Sequence, residues 1–364
     1  MPHSALNRLI HLLASAVMAS TLCAEPPALL SNPSFEDGTG NGPTGWELTG
    51  EGEWTTGRTA HGTRAVTVTG DGEGQWRSNS LDLQPGGTYE LRFRCRYRPN
   101  VLFAPAYAVA GPEFAIQVIP LAADEATPQW KQHVVRFVVP TPLPPAASRI
   151  GLGQWRLKGA IDYDDLELYP VKLAHRVHGA TTLGEGESIT GGAYRFAAPL
   201  ATWRTVSRPL DSYTDRFHDN RWRFSKADAT LVYRHHIAGH RQTKVSIQPE
   251  VWFHQETSWV LHVEVSADGI GYRSLGTFHY DGDKPTLSIP PDMLPAETIW
   301  VRLRNDASDG STPVFYQLRG YEYSARLDGQ PVEFSGVTTF VTVLGSDRSL
   351  SVAPRAPIPG EAVF

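Results

Sequence analysis

The chain has 364 residues, with 33 Lys plus Arg against 38 Asp plus Glu, so its net charge is −5 and 20% of it is charged. This balance excludes the broad basic field that a nucleic-acid or anionic-membrane partner demands, and the length admits two domains with sizeable cores. Glycine (33), proline (28), tryptophan (10) and tyrosine (13) are abundant, a mix that suits turn-rich antiparallel β structure better than helix bundles.

The first segment reads as an export signal. A basic start, MPHSALNR, precedes the apolar run LIHLLASAVMASTL, then small residues and EPP. The run falls short of the roughly 20 residues a spanning helix needs, and the order of regions is that of a secretory leader. The expectation is a leader over 1–24, cleaved after Ala24, and a secreted protein, extracellular or periplasmic. Cys23 raises lipid anchoring as an alternative, although Leu22 before it fits a lipobox poorly. Cys95 is then the one cysteine left, so no internal disulfide staples the fold. In LRFRCRYR it shares a face with Leu91, Phe93 and Tyr97, the setting of a buried thiol.

Beyond the leader, nearly every readable segment alternates with period two, as half-buried strands do. In chain order these are RAVTVTG, TYELRFRCRYR, FAIQVIPL, KQHVVRFVV and SRIGLG, then ATLVYRHH, KVSIQPEVWF, SWVLHVEVS, TIWVRLR and FYQLRGYEYSARLDG. Turn signals such as DG, GG, PP and NG separate them. Helical spacing is confined to a turn or two around Leu121 to Ala126 and Asp292 to Leu294. One strand series closes at IDYDDLELYP and another starts after it. That places a first domain over 25–170, a second over 171–352 and a loosely held tail over 353–364. The expected fold is all-β, two tandem β-sandwiches.

Five pieces of the first series come in a recognisable order: NPSFEDG, the pair Gly45–Trp46, RAVTVTG, LDLQPGGTYELRFRCR and DYDDLEL. The first domain resembles the carbohydrate-binding modules of bacterial cellulases and xylanases, which share the galactose-binding-like jelly-roll sandwich. The second resembles discoidin-like modules of the same superfamily more loosely, through VEVSADGIGYRSLG and IWVRLRN. The resemblance implies two jelly-roll sandwiches and a structural Ca2+ held by Glu36 and Asp164, where the first and last strands meet. The residues themselves leave a plainer alternative open, in which both carboxylates hydrogen-bond backbone amides. By strict alternation Asp164 shares the core side with Leu166 and Leu168, where an unpaired charge is expensive.

The chemistry expected of such a protein is stacking of exposed aromatics on sugar rings, with polar groups beside them. Trp54, Trp76 and Trp155 lie in Gly-flanked polar settings and are the candidate stacking residues. Arg92, Arg94 and Arg96 form a ladder opposite the apolar face of their strand. With Gln117 or Glu113 from a neighbouring strand they form a candidate surface for an acidic or heavily hydroxylated polysaccharide. In the second domain Trp252, His254, Trp259 and Tyr272 suggest another aromatic site. No nucleophile elbow, zinc motif or phosphate loop occurs, and YRHHIAGHR reads as strand and turn. The expectation is a non-catalytic protein that attaches itself, or a partner enzyme or surface protein, to polysaccharide or cell-surface glycan. A structural adhesion protein with protein partners and a glycan-active hydrolase or lyase are the alternatives.

Overall fold

The computed structural model describes residues 29–40, 42–69, 74–99, 106–121, 129–143, 147–155, 159–200, 205–253, 259–278, 284–307 and 316–342. The expected leader with Cys23, the tail and His254 lie outside the described residues. The protein is all-β, built as two β-sandwiches; the helical residues described are short 3-10 turns such as Pro291–Met293. No described helix is long and apolar enough to cross a membrane.

A two-strand ribbon, β1 (Gly38–Thr39) and β2 (Gly42–Pro43), precedes the first sandwich. One of its sheets runs in the order β10–β7–β12–β5–β4: Lys131–Val138, Thr88–Pro99, Gly159–His178, Arg64–Thr69 and Gly52–Thr56. Strand β7 shows why this sequence folds so. Tyr89, Leu91, Phe93 and Cys95 point into the core, while Arg92, Arg94, Arg96 and Arg98 alternate to the other face. The facing sheet uses β3 (Trp46–Thr49), β6 (Gln75–Ser78), β11 (Ile150–Trp155), β8 (Ala106–Pro112) and β9 (Ala115–Leu121). Trp76, Leu152, Ala108 and Ala110 on this sheet pack against Val66, Phe93 and Tyr163 on the other.

The second sandwich has one five-stranded sheet, β16–β19–β24–β21–β22: Leu210–Tyr213, Thr230–His236, Thr298–Ala307, Trp259–Ser266 and Arg273–Phe278. Its other sheet contains β14 (Glu187–Thr190), β15 (Ala193–Ala197), β17 (Arg216–His218), β18 (Arg221–Phe224), β20 (Gln242–Phe253), β23 (Leu287–Ser288), β25 (Tyr316–Leu327) and β26 (Phe334–Ser335). This sheet does not end at the edge of its sandwich. Strand β17 pairs in parallel with β9, Phe217 beside Ala115 and His218 beside Ile116, so one 13-stranded sheet serves both halves.

A second splice is β12. The boundary expected at 170 falls inside this strand: its first half pairs with β7 and β5, and its second half with β13 (Thr181–Leu183) and β27 (Thr338–Thr342). Buried residues of both halves accordingly form one continuous apolar cluster.

Candidate functional site

The arginine ladder on β7 is neutralised where it stands. Asp162 on β12 lies opposite Arg96, is fully buried, and pairs with Arg96 at 2.7 Å and Arg98 at 2.9 Å, while the Thr67 hydroxyl donates to it at 2.7 Å. Glu90 does the same for Arg92 at 2.6 Å and Arg136 at 2.7 Å. Burial pushes the Glu90 carboxyl up, but the two guanidiniums outweigh it and hold it below the usual range. Arg94 reaches Asp165 at 3.1 Å, and Arg96 also lies over the Trp130 ring at 4.8 Å. These arginines spend their forks on the protein's own carboxylates, which corrects the expectation of a ladder open to ligand.

Gln117 is buried, opposite Ala110 on the core side. Trp76 is only 1% exposed, and its indole N–H donates to the Thr67 carbonyl at 3.0 Å across the core. Neither side chain presents itself to a ligand, so both expectations are corrected. Trp54 is half-buried, pinned by a hydrogen bond to the Phe35 carbonyl (2.8 Å) and covered by Arg64 at 4.1 Å. Its ring is occupied by these contacts.

Glu36 and Asp164 lie where a cation was expected, yet their oxygens are already engaged. Glu36 accepts the Thr63 and Arg64 amides at 2.8 and 2.9 Å and the Thr63 hydroxyl at 2.7 Å. Asp164 accepts the Ala60, His61 and Asp165 amides at 2.7, 3.0 and 2.7 Å. Burial raises Glu36 and these donors more than reverse it, so its pKa is lowered; for Asp164 burial wins and the pKa is raised. A hard cation needs 6–8 oxygen ligands, whereas N–H donors fill this clasp, so the residues as placed do not fit Ca2+. Alternation also fails here. A bulge after Asp164, with Asp165 at φ 55, leaves Asp164 opposite Arg94 while Leu166 and Leu168 turn into the core.

Trp155 is different. Its ring is 43% exposed on the outer face of the long sheet and meets Tyr107, its cross-strand partner, at a centroid distance of 5.4 Å. Beside them the outer-face positions of β11 are Gly153 and Gly151, flanked by Val109 and Gly111 on one side and Gln75 and Arg77 on the other. The Gln75 amide lies across Gly151, in space that a side chain there would fill: a Cβ would sit 2.1 Å from Nε2. Arg77 donates to Gln75 Oε1 at 3.0 Å and approaches Glu113 at 3.9 Å. The result is an aromatic platform at the end of β11, beside two buried glycines over which the Gln75 side chain lies, with the Arg77 guanidinium and the Glu113 carboxylate at the edge. Tyr107, Gln75 and Arg77 were missed by sequence reasoning; the repeat of GQW at Gly74 and Gly153 was the available signal.

Of the second aromatic group, Trp252 is on the long sheet and Tyr272 precedes β22 of the other sheet beneath Arg302 at 3.8 Å, so they form no common site. The histidines of YRHHIAGHR are satisfied separately: His235 by Tyr321 at 2.9 Å, His236 by Thr298 at 2.8 Å and His240 by the Asp328 carbonyl at 3.1 Å. A cavity of about 160 Å3 lies between the halves, lined in part by Thr88, His175 and Arg208. The Arg208 guanidinium there is turned onto buried Glu187, with Nε at 2.6 Å. Among the described residues no cluster of His, Cys, Asp and Glu could hold a metal ion.

No family model and no curated protein matches this sequence. Among solved structures the chain is similar to several carbohydrate-binding modules. The CBM22-1–CBM22-2 tandem of Paenibacillus barcinonensis Xyn10C is 15% identical, covers 84% of this chain and all of its own, and has a TM-score of 0.30. A family 16 carbohydrate-binding module is 16% identical over 38% of this chain and 98% of its own, TM-score 0.29. A Stig cyclase from Fischerella sp. TAU is 16% identical over 40% of this chain and 97% of its own, also with a TM-score of 0.30. Likenesses of this size include binding modules and enzymes alike and assign no ligand.

Proposed function

We propose that the protein is an exported, non-catalytic carbohydrate-binding protein that holds itself, or a partner, on a polysaccharide. One observation carries this: the Trp155–Tyr107 platform open to solvent at the end of β11. A pyranose ring offers apolar C–H faces to such a platform and hydroxyls to the amide of Gln75, the guanidinium of Arg77 and the carboxylate of Glu113. The non-catalytic reading is supported by the state of the carboxylates. Glycoside hydrolysis needs an acid and a base roughly 5 to 9.5 Å apart across a cleft, whereas Glu36, Asp164, Glu90 and Asp162 are each saturated by donors from the protein itself.

The test is retention of the full chain on a panel of soluble and insoluble polysaccharides, with Trp155→Ala and Tyr107→Ala alongside. Binding to at least one glycan is expected, and Trp155→Ala should weaken it at least tenfold with an unchanged melting temperature, as for a central contact residue worth about 1.4 kcal/mol or more. Retention unaffected by Trp155→Ala would reject the platform.

A further inference from the structure

The outer faces of the two sandwiches are one surface. Because β17 adds to β9 with Phe217 beside Ala115, both buried, the next residues His218 and Ile116 share the opposite side. That side is continuous with Tyr107 and Trp155: Val109 pairs with Val118 and Tyr107 with Trp155 on the same face. From the platform this side of the one sheet runs across β8 and β9, where Val118 is only 4% exposed, onto the β17–β18 hairpin.

The hairpin carries an arrangement that folding alone disfavours. Arg216 lies directly opposite Arg223, and like charges so placed are destabilising; His218 lies directly opposite Arg221. On the same side Trp252, 38% exposed, has Arg221 over its ring at 4.6 Å and Arg319 at 5.5 Å. Carboxylates are present: Asp215 at 3.6 Å from Arg216, Asp219 at 3.5 Å from Arg221, and Glu250 shared by Arg319 and Lys284. Burial first, then Arg221, Arg223 and Arg216, push the His218 imidazole down to about 4. This crowding contrasts with the β7 ladder, where buried Glu90 and Asp162 each take up two arginines.

We infer that the shared outer face is one extended site for an anionic polysaccharide, in which sugar rings stack on Trp155 and Tyr107 and a carboxylate or sulfate further along the chain is held by Arg216, Arg221 and Arg223. The guanidinium fork suits both groups. From Tyr107 to Arg221 is three strand spacings across and four residues along, roughly 20 Å, the span of a short oligosaccharide. The inference rests on the stacking reading above and adds to it the charge class of the glycan and the part played by the second sandwich.

The test measures affinity of the full chain for a polyuronate, a sulfated polysaccharide and a neutral polysaccharide. At least one anionic glycan should bind more tightly than the neutral one, and its binding should weaken more than tenfold between about 0.05 and 0.5 M NaCl. Which anionic glycan is retained tells carboxylate from sulfate. Arg221→Gln with Arg223→Gln should lower the ratio of anionic to neutral affinity at least tenfold, and a dimer too short to span the face should not sense the change. Arg216→Gln, at a side chain 36% exposed, gives a second readout should the double variant misfold. An unchanged ratio in the arginine variants, or salt-insensitive binding, overturns the inference while loss in Trp155→Ala still upholds stacking. Anionic binding that the arginine variants abolish but Trp155→Ala leaves intact overturns the stacking reading, and the single extended site with it.

Discussion

Trp76 and Trp155 each end a Gly-Gln-Trp tripeptide on adjacent antiparallel strands, yet they point to opposite faces. Gly153 lies opposite Gln75 and Leu152 opposite Trp76, so the two copies are set one residue out of phase, and one residue of phase exchanges core and solvent. Removing Trp76 should therefore cost about 3–5 kcal/mol of stability, as for other buried aromatics, seen as a lower denaturation midpoint. Trp155→Ala should move that midpoint little. The two tryptophans could not be separated in sequence because both motifs are short, Gly-flanked and polar; what decides is the pairing register, which is a long-range property. Glu36 and Asp164 were legible as a pair at one end of the sandwich, but not their donors, since the amides of Ala60 to Arg64 come from a loop whose path sequence does not reveal. With those amides in place, neither millimolar Ca2+ nor a chelator should shift the melting temperature. A shift of several degrees on chelation would show the clasp rearranged around a cation.

At the scale of the element, β7 and the β17–β18 hairpin treat arginine in opposite ways. On β7 the alternation of Leu91, Phe93 and Cys95 with Glu90, Arg92, Arg94 and Arg96 was fully legible, but the fate of the charges depended on Asp162 and Arg136, whose positions across from this strand were not. Asp162→Ala should lower stability by about 2–3 kcal/mol, below the usual 3–5 for breaking a buried pair because Arg96 and Arg98 keep some contact with water. On the hairpin the dependence on acid is the informative quantity. His218 faces Arg221 across the hairpin, with Arg216, Arg223 and Asp219 around it, and its pKa is about 4 when folded against 6.5 ordinarily. Protonation thus favours the unfolded chain. The stability this group contributes is complete above about pH 6.5 and is lost as the pH falls toward 4, a change on the order of 2 kcal/mol after allowing for partial exposure. Unfolding midpoints at pH 7 and 4.5 should differ less in His218→Gln than in the parent; equal differences would mean that His218 already charges freely when folded.

For the whole molecule, the two-sandwich architecture was legible because period-two alternation and turn signals survive in nearly every strand. The splice between the halves was not: β17 is three residues long, and its union with β9 brings together Phe217 and Ala115, far apart in sequence. The continuous sheet and the common core predict that the halves unfold together. Calorimetry should give one transition whose calorimetric and van't Hoff enthalpies agree, whereas two separated transitions would mean that β9–β17 and β12 couple the sandwiches only weakly.

Strand β12 also imposes an order in time. Its second half finds Val171 beside Thr342 and His175 beside Thr338, partners synthesised near the end of the described chain. Closing so long a loop is slow, and until it closes an unpaired strand edge stands open to any other extended chain. A nascent or clipped chain lacking Thr338–Thr342 is therefore left with a self-association hazard, and its fate is aggregation rather than a weakened grip on sugar.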